Sequence, residues 1–421
     1  MPSASQVSQS IIRRIMATLF VAQGMALAAL VASTTVSSII GAELTGSERG
    51  AGLPSTLTLI GGALAAYLAG RLMNRVGRRI GLSAGYLCGL AGGLLAGIGV
   101  IDRSLVIFLI GMILLGAARA ISDLSRYAAA DVYTARMRGR AVSTIVFAGT
   151  IGAILGPILA PVAGQMSESL GYSELAGPWF ATAAIFVFAL VFINVFLHPD
   201  PRDIARAMHR EGDFGQPQSD GQAARSFRQV MSAPAARLAL ISLGLAQTVM
   251  VTVMTITPVH MTHYNHGLDA IGLVVSAHIV GMYGLSFVTG WLSDRWGRRA
   301  TIGLGSLLLI AACVLAPQDS NTLPLAASLF LLGFGWNMCF VAGSSLLTDT
   351  LAVHERARIQ GAADLVVNLA SAAGSLASGI LIASLGFGTL ALISASLALI
   401  VIAATLKTQQ LQPVKMMEQA P

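Results

Sequence analysis

Residues 70–79 read GRLMNRVGRR, and residues 290–299 read GWLSDRWGRR. The two strings begin 220 positions apart (290 − 70), which is slightly more than half of the 421 residues. Each string follows one long apolar run and precedes another. The repeat predicts two related halves, each with an arginine-rich turn between its second and third apolar helix. Internal repeats of this kind are typical of secondary transporters.

The composition supports a chain that is embedded in a membrane. Hydrophobic residues make up 55% of it, charged residues only 11%, and the mean hydropathy is +0.75. An ordinary soluble domain carries about 25% charged residues. The net charge is +7, but the basic residues are divided among short loops, which argues against nucleic acid as a partner. The three cysteines lie inside apolar runs without metal-ligand spacing, so we expect no metal site.

Twelve runs are long and apolar enough to cross a bilayer, which needs roughly 20 mostly apolar residues per helix. The predicted spans are 13–40, 53–73, 80–101, 105–130, 141–166 and 178–198, followed by 236–261, 270–292, 300–316, 324–349, 359–384 and 388–406. The expected fold is therefore an all-α integral membrane protein with twelve transmembrane helices in two pseudo-symmetric six-helix bundles.

The distribution of polar residues predicts the domain boundaries. Residues 1–198 form the first bundle, 199–235 a polar cytoplasmic linker, 236–406 the second bundle and 407–421 a cytoplasmic tail. Nearly all Lys and Arg residues fall at one side of the predicted spans, together with both termini and the linker. By the positive-inside rule that side is cytoplasmic. We expect a multi-pass protein of the plasma or inner membrane, with the lipid bilayer as its surroundings and a single chain as its functional unit.

The repeated strings resemble the signature that follows the second span in the major facilitator superfamily, Gly-x-Leu-x-Asp-Arg-x-Gly-Arg-Arg/Lys. The second copy fits throughout, and the first copy departs only at the acid, where Asn74 stands. The resemblance extends from about residue 13 to residue 406. It implies the twelve-helix fold of that family, and the branch it resembles is the one whose members exchange drug-like solutes for protons.

By this resemblance, charged residues of the two strings close the cytoplasmic side when the carrier faces outward. Arg78 would pair with Asp131 at the end of span 4, and Arg298 with Asp349 at the end of span 10. The alternative is that these arginines only anchor the loops on the cytoplasmic side. The predicted gate residues are Gly70, Asn74, Arg78, Asp131, Gly290, Asp294, Arg298 and Asp349.

Span 5 carries a second pattern, since residues 149–164 read GTIGAILGPILAPVAG. The antiporter branch of the resembled family has Gly-x-x-x-Gly-Pro here, which Gly152, Gly156 and Pro157 match. Ala160-Pro161 replace the later Gly-Gly of that pattern. In the family the motif is associated with exporters. The alternative is a helix that uses small residues for packing, since Gly and Pro are frequent in transmembrane helices.

Span 4 contains the predicted proton-coupling residues. Arg119 and Asp123 are one helical turn apart, and Arg119 lies about 21 Å along the span at 1.5 Å per residue. Charges at such depth usually serve function, and by resemblance Arg119 occupies the arginine of a family pattern implicated in proton coupling. Asp123 could neutralise Arg119 and bind a proton in exchange for substrate, or the two could form a static ion pair. Asp364 in span 11 is either a second proton site or a contact near the cytoplasmic surface.

Several residues at helical spacing predict the substrate cavity. Methionine is adaptable and suits a promiscuous apolar pocket, although a methionine stripe also serves ordinary packing. Asn337 is the counterpart of Arg119 at a distance of 218 positions (337 − 119). The predicted cavity residues are Gln23, Gln247, Met250, Met254, Trp336 and Asn337.

Three functions remain open at this point. The first is a proton-coupled exporter of amphipathic organic compounds, with protons and a small molecule as its partners. The second is a proton-coupled importer of a small metabolite or organic anion that Arg119 would bind. The third is a membrane sensor or scaffold without transport. The sequence lacks the Gly-x-x-x-x-Gly-Lys string of nucleotide-driven pumps, so we expect no enzyme activity and no cofactor, with the proton gradient as the energy source.

Overall fold

The computed structural model describes residues 9–133, 138–204, 225–318, 321–351 and 355–410. Within these ranges all regular secondary structure is helical. This result agrees with the predicted fold class, because a chain that crosses lipid must satisfy its backbone hydrogen bonds within each segment.

The helices of the first half follow the predicted spans closely. A short 3-10 turn, Glu48–Gly50, lies between spans 1 and 2, and another, Glu174–Ala176, precedes span 6. The spans are formed by Gln9–Thr45, Leu53–Val76, Arg78–Ile101, Leu105–Ser122 with Ser125–Ala130, Arg138–Ser169 and Gly177–Phe196. Span 4 differs from the prediction of one continuous helix, because its helix ends at Ser122 and a shorter one follows.

The second half begins with a short helix, Phe227–Val230, and then repeats the pattern. Its spans are formed by Pro234–His263, Leu268–Ile279 with Ser286–Trp296, Arg298–Leu315, Thr322–Asp349 and Arg356–Gln410. The last of these helices contains the predicted spans 11 and 12, separated at Gly386, whose φ of 75° interrupts the helix. Span 8 is bent by 41°, because the π turn Val280–Gly284 separates its two helices.

The described helices account for twelve crossings. Nine are long and apolar enough to span a membrane, and the two bent helices of span 8 together make a tenth. One of the nine is the stretch Ile359–Thr408, which corresponds to two predicted spans because of the break at Gly386. Span 2, Leu53–Val76, completes the set.

The repeated strings produce the same turn in both halves. Span 3 begins at Arg78 directly after Gly77, whose φ is 109°, and span 9 begins at Arg298 directly after Gly297, whose φ is 90°. Side chains other than hydrogen are rarely tolerated at such angles. The glycine that both strings contain is therefore required by the sharp turn between consecutive helices.

The chain forms two compact units. Unit 1 comprises residues 1–46, 53–218 and 267–272, and unit 2 comprises residues 47–52, 219–266 and 273–421. The interior of unit 1 contains Phe108 and Trp179, whose rings meet edge to face at 5.1 Å between centroids. In unit 2 a cluster of buried aliphatic residues from spans 7, 9, 10 and 11 includes Leu243, Ile302 and Leu347.

Candidate functional site

The polar centre of unit 1 lies where the first helix of span 4 ends. Asp123 follows Ser122, and its backbone N–H still donates to the carbonyl of Arg119 at 3.0 Å. The Asp123 carboxylate accepts a hydrogen bond from the side-chain amide of Gln23 at 3.4 Å. The carbonyl oxygen of the same amide accepts from the Ser125 hydroxyl at 2.9 Å. Gln23 is only 5% exposed. The buried side-chain amide of this span 1 residue therefore bonds to residues on both sides of the break in span 4.

The ion pair that the sequence suggested between Arg119 and Asp123 is not formed. Among the described residues, no Arg119 nitrogen lies within 4.0 Å of a carboxylate oxygen, and the Arg119 side chain is exposed. The backbone is still helical at Asp123, but its carboxylate turns toward Gln23 and away from Arg119. Gln23, predicted as a cavity residue, is therefore the partner of the candidate proton carrier.

Asp364 belongs to a different unit from Asp123. It lies in the first turns of the helix Arg356–Gln410 in unit 2, and its side chain is exposed. The structure thus does not bring the two candidate acids together within one unit.

An aromatic cluster in unit 2 surrounds part of the predicted cavity set. The Trp336 indole N–H donates to the Gln247 side-chain oxygen at 2.6 Å. Its ring stacks on Phe340, with 4.8 Å between centroids, and meets Tyr283 edge to face at 6.1 Å. Met250 of span 7 is buried, whereas Phe340 is exposed. The sequence analysis missed Tyr283 and Phe340, although Phe340 follows Trp336 by one helical turn.

Asn337 has a structural contact set that the sequence did not indicate. Its amide donates to the Met282 carbonyl at 2.6 Å and to the Ser286 hydroxyl at 3.0 Å, and its oxygen accepts from Thr289 at 2.6 Å. It is 2% exposed. A π turn disturbs the regular hydrogen-bond ladder, and Asn337 binds a carbonyl within that turn. This residue therefore stabilises the bend of span 8.

The first arginine-rich turn forms one of the ion pairs that the resemblance implied. Arg78 Nε lies 2.7 Å from Asp131 Oδ2, and both side chains are largely covered. The side chain of Asn74 and the surroundings of Gly70 lie outside the described set.

An acid that the sequence analysis missed, Asp200, caps the start of span 3. Its carboxylate accepts from the backbone N–H groups of Arg78 at 3.1 Å, Arg79 at 3.0 Å and Arg202 at 2.9 Å. A carboxylate at a helix N-terminus is stabilised by the unpaired N–H groups and the helix dipole. A side chain at Gly77 would meet Asp200 Oδ2 at 2.6 Å. The only sequence signal was the position of Asp200 directly after span 6, on the side of the repeated turn.

The second arginine-rich turn has more exposed charges. Arg298 contacts Asp294 and lies 3.5 Å from Asp349, and these two acids are 74% and 58% exposed. A side chain at Gly297 would meet no described atom within 4 Å, in contrast to Gly77. Gly290 lies within the helix Ser286–Trp296 and likewise has open space beside it.

Arg225, near the end of the predicted linker, forms hydrogen bonds within unit 2. The Arg225 guanidinium donates to both carboxylate oxygens of Glu355, at 2.7 and 3.0 Å, and also to the carbonyl of Thr350. The hydrogen bonds to Glu355 raise the pKa of the Arg225 guanidinium above its ordinary value. Residues 205–224 of the predicted linker and residues 411–421 of the predicted tail lie outside the described ranges.

The span 5 motif packs against span 1 within unit 1. A side chain at Gly152 would overlap the carbonyl oxygen of Gly24, and one at Gly156 would lie 2.8 Å from the carbonyl oxygen of Ala28. Pro157 lies inside the helix Arg138–Ser169. The small residues thus permit close contact between the two helix backbones, as the packing alternative requires.

Removing the Asp200 carboxylate is expected to destabilise unit 1. An Asp200→Ala variant should lose about 0.5–2 kcal/mol of stability, the usual effect of deleting a helix cap, because three N–H groups lose their acceptor. Thermal unfolding in detergent or nanodiscs measures the effect. Asp203→Ala is the control, since Asp203 makes only a partly exposed 3.6 Å ion pair with Arg202 among the described residues, and such a pair contributes little. Equal melting temperatures for the Asp200→Ala variant and the unmodified protein would contradict the role of the cap.

Comparisons with known proteins identify the class to which this fold and these turns belong. The family model described as "Major Facilitator Superfamily" matches residues 16–268 and 238–415. The chain belongs to this superfamily of membrane transporters, whose members are not enzymes. It is therefore a multi-pass membrane transporter.

Two curated relatives and one solved structure show how far the similarity reaches. The chain is 36% identical over 407 residues to the uncharacterized MFS-type transporter YdeG of Bacillus subtilis, covering 95% of this chain and 93% of the relative. It is 28% identical to the riboflavin transporter RfnT of Brucella anthropi, covering 70% and 71%. A bacterial homolog of the human lysosomal transporter Spinster has the same fold, with a TM-score of 0.76, 12% identity and coverage of 96% and 98%.

Proposed function

We propose that the protein is a proton-coupled antiporter that exports amphipathic organic compounds by alternating access. The observation that carries this proposal is the Asp123 carboxylate. It lies at the break in span 4, it accepts a hydrogen bond from the neutral amide of Gln23, and none of the described cationic side chains lies within 4.0 Å of it. A carboxylate without a fixed counter-charge can alternate between a charged and a protonated form. It therefore suits a proton carrier better than one locked in an ion pair.

Arg119 supports the exchange of substrate and proton. Its side chain is exposed and not ion-paired within the described residues. Ionisable groups within membrane spans usually face a cavity or a partner and serve transport. Arg119 lies one turn before Asp123 in the sequence of span 4, so the cation and the candidate proton carrier occupy the same part of the span. Protonation of Asp123 would thus change the field around this part of span 4.

The aromatic cluster of unit 2 supports the substrate class. The Phe340 ring is 40% exposed, and the rings of Trp336 and Tyr283 and the Gln247 amide form the cluster behind it. Aromatic stacking contributes about 0.5–1.5 kcal/mol beyond area burial. Such a surface favours amphipathic compounds that contain an aromatic ring and discriminates weakly among them.

A second candidate is uptake of a riboflavin-like heteroaromatic compound. The similarity to the riboflavin transporter RfnT favours it, since that similarity covers more than two thirds of both chains. The aromatic cluster fits a planar ring system equally well. Export remains the main proposal because of the Gly152, Gly156 and Pro157 pattern in span 5.

The remaining features of the proposal concern the setting of the protein. We place it in the plasma or inner membrane with both termini cytoplasmic, as a monomer that uses the proton gradient without a cofactor. The excess of Lys and Arg at one side of the spans, which includes Arg78 and Arg298, supports this orientation by the positive-inside rule.

A flux experiment separates the two candidates. Inside-out vesicles with an acidic lumen, which mimic export, should accumulate neutral and cationic aromatic dyes, and dissipating the pH gradient should abolish the accumulation. Riboflavin is tested in right-side-out vesicles, with empty vesicles as the control for both. Accumulation of riboflavin alone, driven inward in right-side-out vesicles, would replace the exporter proposal by the uptake candidate. If only an anionic metabolite competes, Arg119 is a substrate ligand and the preference for cationic and neutral compounds is wrong.

A further inference from the structure

Each compact unit contains one short segment whose neighbouring spans belong to the other unit. Residues 47–52, between spans 1 and 2, belong to unit 2, and residues 267–272, at the start of span 8, belong to unit 1. The two segments are 220 positions apart (267 − 47), the same spacing as the repeated strings. They are therefore equivalent parts of the two halves, on the side predicted to face outward.

The segment 47–52 packs closely on span 11 within unit 2. The Ser375 hydroxyl donates to the Gly52 carbonyl at 3.1 Å, and a side chain at Gly52 would overlap the Ser375 carbonyl oxygen. One turn further, a side chain at Gly379 would lie 2.5 Å from the Arg49 carbonyl oxygen. Ser375 is completely buried, and Gly52 of the segment lies directly against it.

An ion pair joins the same segment to span 7. Glu48 Oε1 lies 3.0 Å from Nε2 of His263, the last residue of the helix Pro234–His263. The two side chains are 29% and 50% exposed, so solvent reaches the imidazole. This pair has no counterpart in unit 1, because Leu268 stands at the position equivalent to Glu48 (268 − 220).

The strength of the contact between Glu48 and His263, and so the attachment of residues 47–52, depends on the charge of His263. A protonated imidazole forms an ion pair with Glu48, whereas a neutral one offers a hydrogen bond at most, and imidazoles titrate between about pH 5 and 8. The other titratable or charged groups around His263 are His260 and Tyr264 on its own side, His266 in the next turn, and Arg49 beside Glu48.

We infer that Glu48 and His263 form a pH-dependent ion pair. This pair holds residues 47–52 on unit 2 and becomes stronger as the outside becomes acidic. Release of the segment would uncover the part of span 11 around Ser375. External acid would therefore reduce the fraction of molecules in which the segment is released.

The rate at which a cysteine at position 375 is labelled measures how often residues 47–52 are released. In a background with Cys88, Cys313 and Cys339 replaced by serine, a Ser375→Cys variant in nanodiscs is labelled with a small methanethiosulfonate reagent at pH 5.5 and pH 8. A Gln318→Cys variant, at an exposed position of unit 2, corrects for the pH dependence of the reagent. The corrected labelling rate should be about two- to fivefold lower at pH 5.5, the range expected for a solvent-exposed ion pair.

Variants of the two partners identify the responsible group. Glu48→Gln and His263→Gln should each remove the difference between the two pH values, whereas His260→Gln should preserve it. His263→Lys, which keeps a positive charge at both pH values, should give slow labelling throughout. A difference that persists in His263→Gln, or its absence in the Ser375→Cys parent, would overturn the inference. The assay uses neither substrate nor gradient, so its result is independent of the proposed export activity.

Discussion

Replacing Asp123 by asparagine is expected to abolish proton-driven transport while the protein still folds and inserts. The asparagine side chain keeps the size of the aspartate and can still bond to the Gln23 amide, which contacts the carboxylate at 3.4 Å. It cannot exchange a proton at any working pH. Flux of a dye into vesicles with an imposed pH gradient measures the loss, which should reach the level of empty vesicles.

The matched comparison is Asp364→Asn. Asp364 lies near the beginning of span 11 with an exposed side chain, so its neutralisation should reduce gradient-driven flux less. Substrate counterflow without a pH gradient gives a second readout, since it requires binding and conformational change but no net proton movement. The Asp123→Asn variant should retain counterflow. Full gradient-driven transport in that variant would exclude Asp123 as the proton carrier.

Replacing Gly152 by leucine is expected to remove most of the correctly folded protein. Even a methyl group at this position would overlap the Gly24 carbonyl oxygen, and backbone atoms cannot yield as a side chain can. Overpacking usually costs about 1–3 kcal/mol and sometimes more, and here spans 1 and 5 would have to separate. Size-exclusion chromatography of a fluorescent fusion and the melting temperature measure the effect.

Gly244→Leu is the control for that substitution. Gly244 also lies inside a membrane helix, span 7, but a Cβ atom added there meets no described atom within 4 Å. Normal yield and stability of Gly152→Leu, combined with a selective loss of transport, would show that the motif acts in the transport cycle and not in the packing of span 5.

The periodic and repeated features were predictable because they depend on local physical requirements. A helix that crosses lipid needs a long apolar run, and the sequence contains such runs in the order that the helices follow. The glycine in each repeated string is required by a positive φ, found at Gly77 and Gly297. The bend of span 8 was not predictable, because the Asn337 contacts that stabilise it come from span 10.

The sequence analysis named Arg119 and Asp123 as a candidate site but did not predict which groups they contact. Arg119 and Asp123 stand at a spacing that favours contact on a regular helix, yet the Asp123 carboxylate contacts another helix instead. The partner that Asp123 has, Gln23, is 100 positions away in the chain (123 − 23). Asp200 was missed for a similar reason, since it contacts Arg78 across 122 positions.

The sequence by itself therefore determined the membrane-spanning helices, the duplication, the two sharp turns and the family, because apolar length, repeat spacing and backbone angle are properties of short stretches. Only the tertiary structure decided which polar group each buried or partly buried charge meets. Hydrogen bonds and ion pairs act over about 3–4 Å, and distant parts of the chain reach that range only when the helices are packed. The contacts of Glu48 with His263 and of Asp123 with Gln23 therefore depend on how the helices pack in the tertiary structure.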